Sequence, residues 1–148
     1  MLGDYITSDL VKLQVKVDDW EGAVRAGGQL LLDAGMCETR YLDAMVDAVR
    51  RLGPYMVLAP GIALAHGRPE DGVLKAGLSI INLESPVDFG SEANDPVYLV
   101  ISFGGVDNDS HVAMLRELAI FLMEEQNQEL LKKATAVEQL MEAFQQAG

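Results

Sequence analysis

The stretch GPYMVLAPGIALAHGRPEDGV, residues 53–73, contains two short apolar segments followed by a histidine. The segments 55–59 and 61–65 are separated at a Pro-Gly step, which is typical of a break between strands. They predict two short strands or one bent strand. His66 comes directly after them and before a glycine, so we expect an ionisable ring where a buried strand runs out into a loop.

Three other segments have the pattern of β-strands. Apolar and polar residues alternate over 11–17, which predicts a half-buried strand. The segments 74–83 and 96–103 are rich in branched and aromatic residues and predict two buried strands. Residues 84–96 lie between these two and have the composition of a turn-rich loop.

The remaining segments have the three-to-four spacing of apolar residues that is typical of helices. The predicted helices run from a cap at Asp18 or Asp19 to near Gly35, from Thr39 to Gly53, from Asp109 or Ser110 onward, and around 127–133 and 136–146. Gly27 and Gly28 fall in the middle of the first helix. They indicate either a break or close packing against a neighbour.

The order of these elements is strand, helix, helix, several strands and then helices. It predicts an α/β fold with a mixed β-sheet flanked by helices on both faces, and 148 residues fit a single domain over 1–148. His66 ends one strand, and His111 lies in the first turn of the helix that follows the strand 96–103. Because both positions follow strands of one sheet, we expect the two rings to lie at the same edge.

Charge and cysteine content exclude some classes of partner and compartment. The 23 Asp and Glu residues against 11 Lys and Arg give a formal net charge of -12, which disfavours nucleic acid and suits a basic protein surface. The single cysteine, Cys37, rules out an intramolecular disulfide and favours a reducing, cytoplasmic location. The chain shows neither a signal sequence nor an apolar run near the roughly 20 residues of a membrane-spanning helix, so no membrane insertion is expected.

His66 and His111 are the only imidazoles of the chain and are its candidate reactive groups. A neutral imidazole is a competent nucleophile at cellular pH, and a phosphoryl group on its nitrogen is a labile donor. Arg68 and Arg50 could supply cationic groups, and the helix start at His111 could supply N–H donors. From the residues alone, an ordinary loop histidine at position 66 is an equally valid interpretation.

A metal site is the competing hypothesis, with His66, His111 and the carboxylates of Asp71, Asp107 or Asp109 as ligands. Short-spaced metal motifs such as HExxH and paired cysteines do not occur. The residues also lack a phosphate-binding glycine loop, and the sequence around Cys37 offers no adjacent base for a nucleophilic thiol.

The segment GIALAHGRPEDGV, preceded by GPYMVLAP, resembles the active-site segment of the mannitol/fructose-type enzyme IIA proteins of the bacterial phosphotransferase system. The APGIA segment before the histidine and the RPE-G-V stretch after it are more similar to the ascorbate-type branch. The likeness extends over nearly the whole chain. Two positions depart from the family pattern: Ala65 stands where members usually have proline, and Gly67 stands where the ascorbate-type branch often has alanine.

The resemblance implies a phosphocarrier that needs no cofactor or metal. It would accept a phosphoryl group from the phosphocarrier protein HPr on His66 and pass it to a cysteine of enzyme IIB, for ascorbate or a related sugar. His111 matches the second active-site histidine of the family and Arg50 its nearby arginine. A rim of Met114, Leu64 and Val73 is expected to dock HPr. A regulatory phosphohistidine domain of the same shape and a metal-dependent hydrolase stay as alternatives.

Overall fold

A five-stranded mixed sheet lies at the centre of the computed structural model, which describes residues 2–146. The strands are β1 Val11–Val15, β2 Val57–Ala59, β3 Ile62–His66, β4 Gly77–Val87 and β5 Val97–Gly104. Their order across the sheet is β1-β4-β5-β3-β2. The pairs β1–β4 and β3–β5 are parallel, whereas β4–β5 and β2–β3 are antiparallel.

Residues 2–146 also form five α-helices, which cover both faces of this sheet. They are α1 Trp20–Asp33, α2 Thr39–Leu52, α3 Asn108–Leu122, α4 Glu125–Lys133 and α5 Val137–Gln146. Ser79 Oγ of β4 donates a hydrogen bond to the Gly27 carbonyl of α1, whereas Asn82 Nδ2, three residues along the same strand, donates to the Leu131 carbonyl of α4. Since side chains alternate between faces along a strand, α1 and α4 lie on opposite sides. The predicted α/β fold with helices on both faces is confirmed.

Helix α1 is continuous through its two central glycines, so close packing is the correct alternative there. A Cβ at Gly27 would lie 2.5 Å from Ser102 Oγ of β5, and one at Gly28 would lie 2.8 Å from Met45 Cε of α2. The glycines therefore let α1 approach both the sheet and the neighbouring helix.

Several predicted boundaries differ from the structure. Strand β4 begins three residues later than expected and continues to Val87, so 84–87 are strand and not loop. Glu84, Ser85 and Pro86 are exposed, and the ladder with β5 resumes only at Val87, which pairs with Val97 after a register shift. Exposed residues of this composition are difficult to distinguish from a loop by sequence. Tyr55 and Met56 lie in a short 3-10 turn before β2.

Helix α3 begins at Asn108, because Asp107 is the residue that caps it. The capping carboxylate accepts a hydrogen bond from Ser110 N at 2.8 Å. His111 is thus the fourth residue of α3. At the other strand end, His66 is the last residue of β3 and pairs in register with Phe103 of β5.

Within the described residues, none of the helices is long and apolar enough to cross a membrane.

Candidate functional site

The parallel pair β3–β5 brings both histidines to one edge of the sheet. The His66 ring stacks on Phe103 with 4.8 Å between centroids, and the His111 ring lies 5.0 Å from the same phenylalanine. The two imidazole centroids are 5.6 Å apart in an edge-on arrangement. Phe103 therefore acts as an apolar shelf against which both rings pack, and the expected meeting of the histidines occurs in the structure.

A glycine directly after β5, Gly105, makes this approach of α3 feasible. A Cβ at Gly105 would lie 2.8 Å from both N and Cα of His111. Contacts this short to backbone atoms cannot be relieved by a change of side-chain rotamer. Any larger residue at position 105 would displace the helix that carries the second histidine.

The two rings present the same nitrogen to the protein interior. Nδ1 of His66 and Nδ1 of His111 are buried and have no hydrogen-bond partner among residues 2–146. The Leu64 carbonyl lies close enough to favour a protonated His66 ring, but Nδ1 does not donate a hydrogen bond of normal geometry to it. With Nδ1 enclosed, Nε2 is the nitrogen of each ring that can meet a reactant in the cavity.

The surroundings of His66 keep its ring neutral. Burial lowers the pKa of His66 below its ordinary value, the neighbouring His111 lowers it further, and the Leu64 backbone opposes these effects. A lowered pKa means that the ring binds its proton only at more acidic pH than a free histidine. The free lone pair needed by a nucleophile is consequently present at neutral pH.

A cavity of about 710 Å³ opens in front of the two rings. Arg51 from the end of α2 and Arg68 from the loop after β3 line it together with His66 and His111. Two cations beside two imidazoles form an environment suited to an anionic group such as a phosphoryl group.

The structure places Arg50 away from this cavity. Its guanidinium pairs with the Glu21 carboxylate of α1 and lies over the Trp20 ring at 5.8 Å. The adjacent Arg51 lines the cavity, while its Nε donates to Asp47 at 3.0 Å. Positions 50 and 51 differ by about 100° around a helix, so neighbouring arginines face different directions.

Two of the backbone donors expected around a phosphoryl group are already engaged. Gly67 N donates to the Tyr41 hydroxyl at 2.8 Å, and Ser110 N at the start of α3 donates to the Asp107 carboxylate. The Arg68 guanidinium is held by Asp71 at 3.2 Å and stays largely exposed. Neither Gly67 N nor Ser110 N is therefore free to bind an incoming anion without giving up its present partner.

The expected rim of the site is also different in the structure. Met114 and Leu64 are buried and Val73 is half-buried, so these side chains do not form an exposed surface. Met114 instead contributes to the core, the more common place for methionine. Exposed apolar side chains at the cavity are those of Leu52 and Val106.

The geometry gives little support to metal or thiol chemistry. Across residues 2–146, no three His, Cys, Asp or Glu side chains are grouped so as to hold a metal ion. Asp107 caps α3 and Asp71 pairs with Arg68, so both carboxylates have other partners. Burial raises the pKa of the Cys37 thiol to about 11, which keeps it protonated and unreactive at neutral pH.

Sequence reasoning did not identify Phe103, Tyr41 or Arg51 as parts of the site. Phe103 and Tyr41 are apolar-pattern residues of a strand and a helix, with no local signal that separates them from other core residues. Arg51 was adjacent to the chosen arginine, and only the direction of the helix distinguishes the two.

The structure therefore combines a helix-covered mixed sheet with two histidines at one edge, His66 at the end of β3 and His111 on α3. Residues 4–147 match the family model described as "Phosphoenolpyruvate-dependent sugar phosphotransferase system, EIIA 2". The chain belongs to this family and is a phosphotransferase of the EIIA type.

Named relatives and solved structures are similar over most of the chain. The ascorbate-specific PTS system EIIA component of Shigella boydii is 43% identical over 117 residues, 78% of this chain and 76% of that protein. The cryptic mannitol-specific enzyme IIA CmtB of Escherichia coli is 32% identical with a TM-score of 0.86, and 99% of each chain is covered. The Escherichia coli mannitol enzyme IIA, in its complex with phosphorylated enzyme IIB, is 30% identical with a TM-score of 0.84, covering 95% of this chain and 97% of that one.

Proposed function

We propose that this chain is the EIIA component of an ascorbate-type permease, which accepts a phosphoryl group from phospho-HPr on His66 and passes it to a cysteine of enzyme IIB. The observation that carries the proposal is the pairing of two imidazoles, 5.6 Å apart, at the floor of a cavity that two arginines line. Ascorbate as the sugar rests on the relatives named ascorbate-specific, of which the Shigella boydii protein is 43% identical.

The reaction is a phosphoryl transfer without a cofactor. The lone pair of His66 Nε2 attacks the phosphorus in line, the bond from phosphorus to the donor nitrogen of HPr breaks, and that nitrogen keeps the electron pair. In the second half, the thiolate of the enzyme IIB cysteine attacks the same phosphorus and the N–P bond to His66 breaks. Water is not consumed in either half, so a sheltered cavity favours transfer over hydrolysis.

The charge of the transferring group is met by side chains. The donors we assign to this role among the side chains that line the cavity are His111 Nε2, Arg51 and Arg68. Charge-assisted hydrogen bonds of this kind are worth about 1.5–3 kcal/mol each in a partly desolvated site. Arg51 takes the role that the sequence assigned to Arg50, because Arg50 is held by Glu21 and Trp20.

The docking surface for both partners is the rim of the same cavity. Leu52 and Val106 are 43% and 45% exposed there, and Val112 follows His111 on α3 with 53% exposure. Apolar side chains surrounded by acidic residues suit partners with an apolar patch inside a basic surface. A solved complex between the mannitol enzyme IIA and phosphorylated enzyme IIB supports the second partner. We infer that the protein acts in the cytoplasm, where phospho-HPr would be its donor.

The test is transfer of labelled phosphate from phosphoenolpyruvate through enzyme I and HPr to wild type, His66→Ala and His111→Ala. We expect stable label on wild type, none on His66→Ala, and reduced or short-lived label on His111→Ala. The cognate enzyme IIB is then added, and label should move to its cysteine.

Three results would change the assignment. Unlabelled wild type would remove the phosphocarrier function. Label on His66→Ala would place the carrier elsewhere. Label that accumulates on wild type and never moves to any enzyme IIB would favour a regulatory phosphohistidine domain.

A further inference from the structure

Tyr41 is a fully buried residue of α2 that has no role in the transfer described above. Its exposed fraction is 0%, and its hydroxyl makes two hydrogen bonds to backbone groups. It donates to the Phe103 carbonyl at 2.7 Å and accepts from Gly67 N at 2.8 Å. One side chain thus joins two backbone positions that are 36 residues apart in the chain, one on β5 and one after β3.

Both of these positions control the His66 ring. Gly67 is the next residue in the chain, so its amide determines the direction in which the backbone leaves His66. Phe103 is the shelf on which the rings of His66 and His111 pack, at 4.8 Å and 5.0 Å between centroids. A shift between these two points would tilt the imidazole relative to the cavity.

The surroundings leave the hydroxyl little freedom to move. A Cβ at Gly67 would lie 3.0 Å from Tyr41 Cε1 and 3.2 Å from Asp71 Oδ2, so the loop is tightly packed against the tyrosine ring. Burial raises the pKa of Tyr41 to about 12, and the hydroxyl therefore keeps its proton and its capacity to donate at neutral pH.

We propose that Tyr41 is a positioning residue for phosphoryl transfer, whose hydroxyl holds the backbone after His66 at a set distance from Phe103 so that His66 Nε2 faces the cavity. This inference rests on the proposed function of His66 as the phosphoryl carrier. Tyr41 does not touch the reacting atoms, and its effect passes through the backbone of Gly67 and the Phe103 shelf.

The direct test is Tyr41→Phe, which removes one oxygen and keeps the ring. The matched control is Tyr98→Phe, the same change on β5 at a site that is 42% exposed and outside the histidine cavity. Two readouts are measured on each folded variant: the rate of label transfer from phospho-HPr over a range of donor concentrations, and the titration of the His66 ring by NMR of protein with ¹⁵N-labelled histidine.

For Tyr41→Phe we expect kcat to fall about tenfold or more, because small misplacements of a nucleophile reduce its reactivity steeply. The KM for phospho-HPr should stay within about twofold, since the docking rim is untouched. The midpoint of the His66 titration should move up toward the ordinary histidine value as the loosened loop admits water. The variant leaves the other titratable and charged side chains at the cavity unchanged, so the shift reports a change in the backbone. These side chains are His111, Arg51, Arg68, Glu70, Asp71 and Asp107.

Wild-type kcat and an unmoved titration in folded Tyr41→Phe would overturn the proposal, even if its melting temperature falls. Should this variant fail to fold, Gly67→Ala displaces the same hydrogen bond from the other partner and is judged by the same two readouts. The titration needs no phosphoryl donor. Failure of wild type to accept label would therefore reject the proposed function, while the role of Tyr41 in orienting the ring would still be decided.

Discussion

At the scale of single residues, the two neighbouring arginines of α2 lie in different surroundings. Arg51 lines the histidine cavity, whereas Arg50 is committed to Glu21 and Trp20 of α1. Both are exposed by more than half of their side chains, so neither ion pair contributes much to stability. The two arginines differ in the direction of their side chains, and this difference should appear in the rate of phosphoryl transfer.

We therefore expect Arg51→Ala to slow phosphoryl transfer to His66 by roughly 10–100-fold, the kinetic equivalent of one lost charge-assisted hydrogen bond of about 1.5–3 kcal/mol. Arg50→Ala is the matched control and should change the rate by about twofold or less. Stopped-flow measurement of label transfer from phospho-HPr compares the two. If phosphoryl transfer is slower in Arg50→Ala than in Arg51→Ala, Arg50 is the arginine of the site, as the sequence resemblance implies.

At the scale of elements, the two histidines meet because β5 ends in glycines. Strand β5 carries Phe103 under both rings, and after Gly104 and Gly105 the chain turns into α3. The Asp107 cap then sets where α3 begins and so fixes His111 on its first turns. The strand end, the glycine contact and the cap together place the second imidazole.

Gly105→Ala should move α3 away from the end of β5. Its new methyl group would lie 2.8 Å from backbone atoms of His111, so α3 has to shift, at a cost of about 1–3 kcal/mol in the free energy of unfolding. We expect reduced transfer to His66 and a larger distance between the rings, measured by label transfer and by a crystal structure of the variant. Gly90→Ala, with no atom within 4 Å of its new Cβ, is a control for a glycine change without steric contact, although its positive φ adds local strain. Unchanged transfer and ring geometry in Gly105→Ala would show that α3 is not held by this contact.

At the scale of the whole molecule, the net charge of -12 acts on encounter with partners. Acidic residues lie close to the proposed docking rim, among them Glu70 and Asp107 at the cavity and Asp109 on the first turn of α3. The electrostatic field of these residues attracts a basic partner. Salt screens this attraction beyond the Debye length, which is about 10 Å at 0.1 M.

Raising the salt concentration should consequently raise the KM for phospho-HPr while kcat changes little. Asp109→Asn should weaken this salt dependence, whereas Glu138→Gln on α5, the same charge change away from the cavity, should not. Steady-state transfer assays between about 0.05 and 0.5 M salt give both values. An identical salt response in wild type and both variants would mean that the acidic surface serves solubility and not docking.

The local sequence pattern was sufficient to predict the fold class and the placement of the two histidines at one edge of the sheet. Period-two and three-to-four apolar spacing, the Asp and Gly residues at helix ends, and the Pro-Gly step are short-range signals, and they predicted the mixed sheet with helices on both faces. The end of β4 was misplaced because its ladder with β5 is interrupted after Asn82 and resumes at Val87, across exposed residues with a loop-like composition. The start of α3 was misplaced because Asp107 was assigned to the loop and not recognised as the helix cap. Strand pairing depends on contacts with another segment, and composition does not record them.

The sequence by itself determined which chemical groups are present: two imidazoles at the ends of elements, an acidic surface and arginines near the loop. Only the tertiary structure decided how they are used. Helix rotation turned Arg51 and not Arg50 toward the cavity, burial enclosed Nδ1 of both rings, and packing placed Met114 and Leu64 in the core and not at the rim. Direction, burial and contact are properties of segments distant in sequence and adjacent in space, so they arise only when the sheet and its helices assemble.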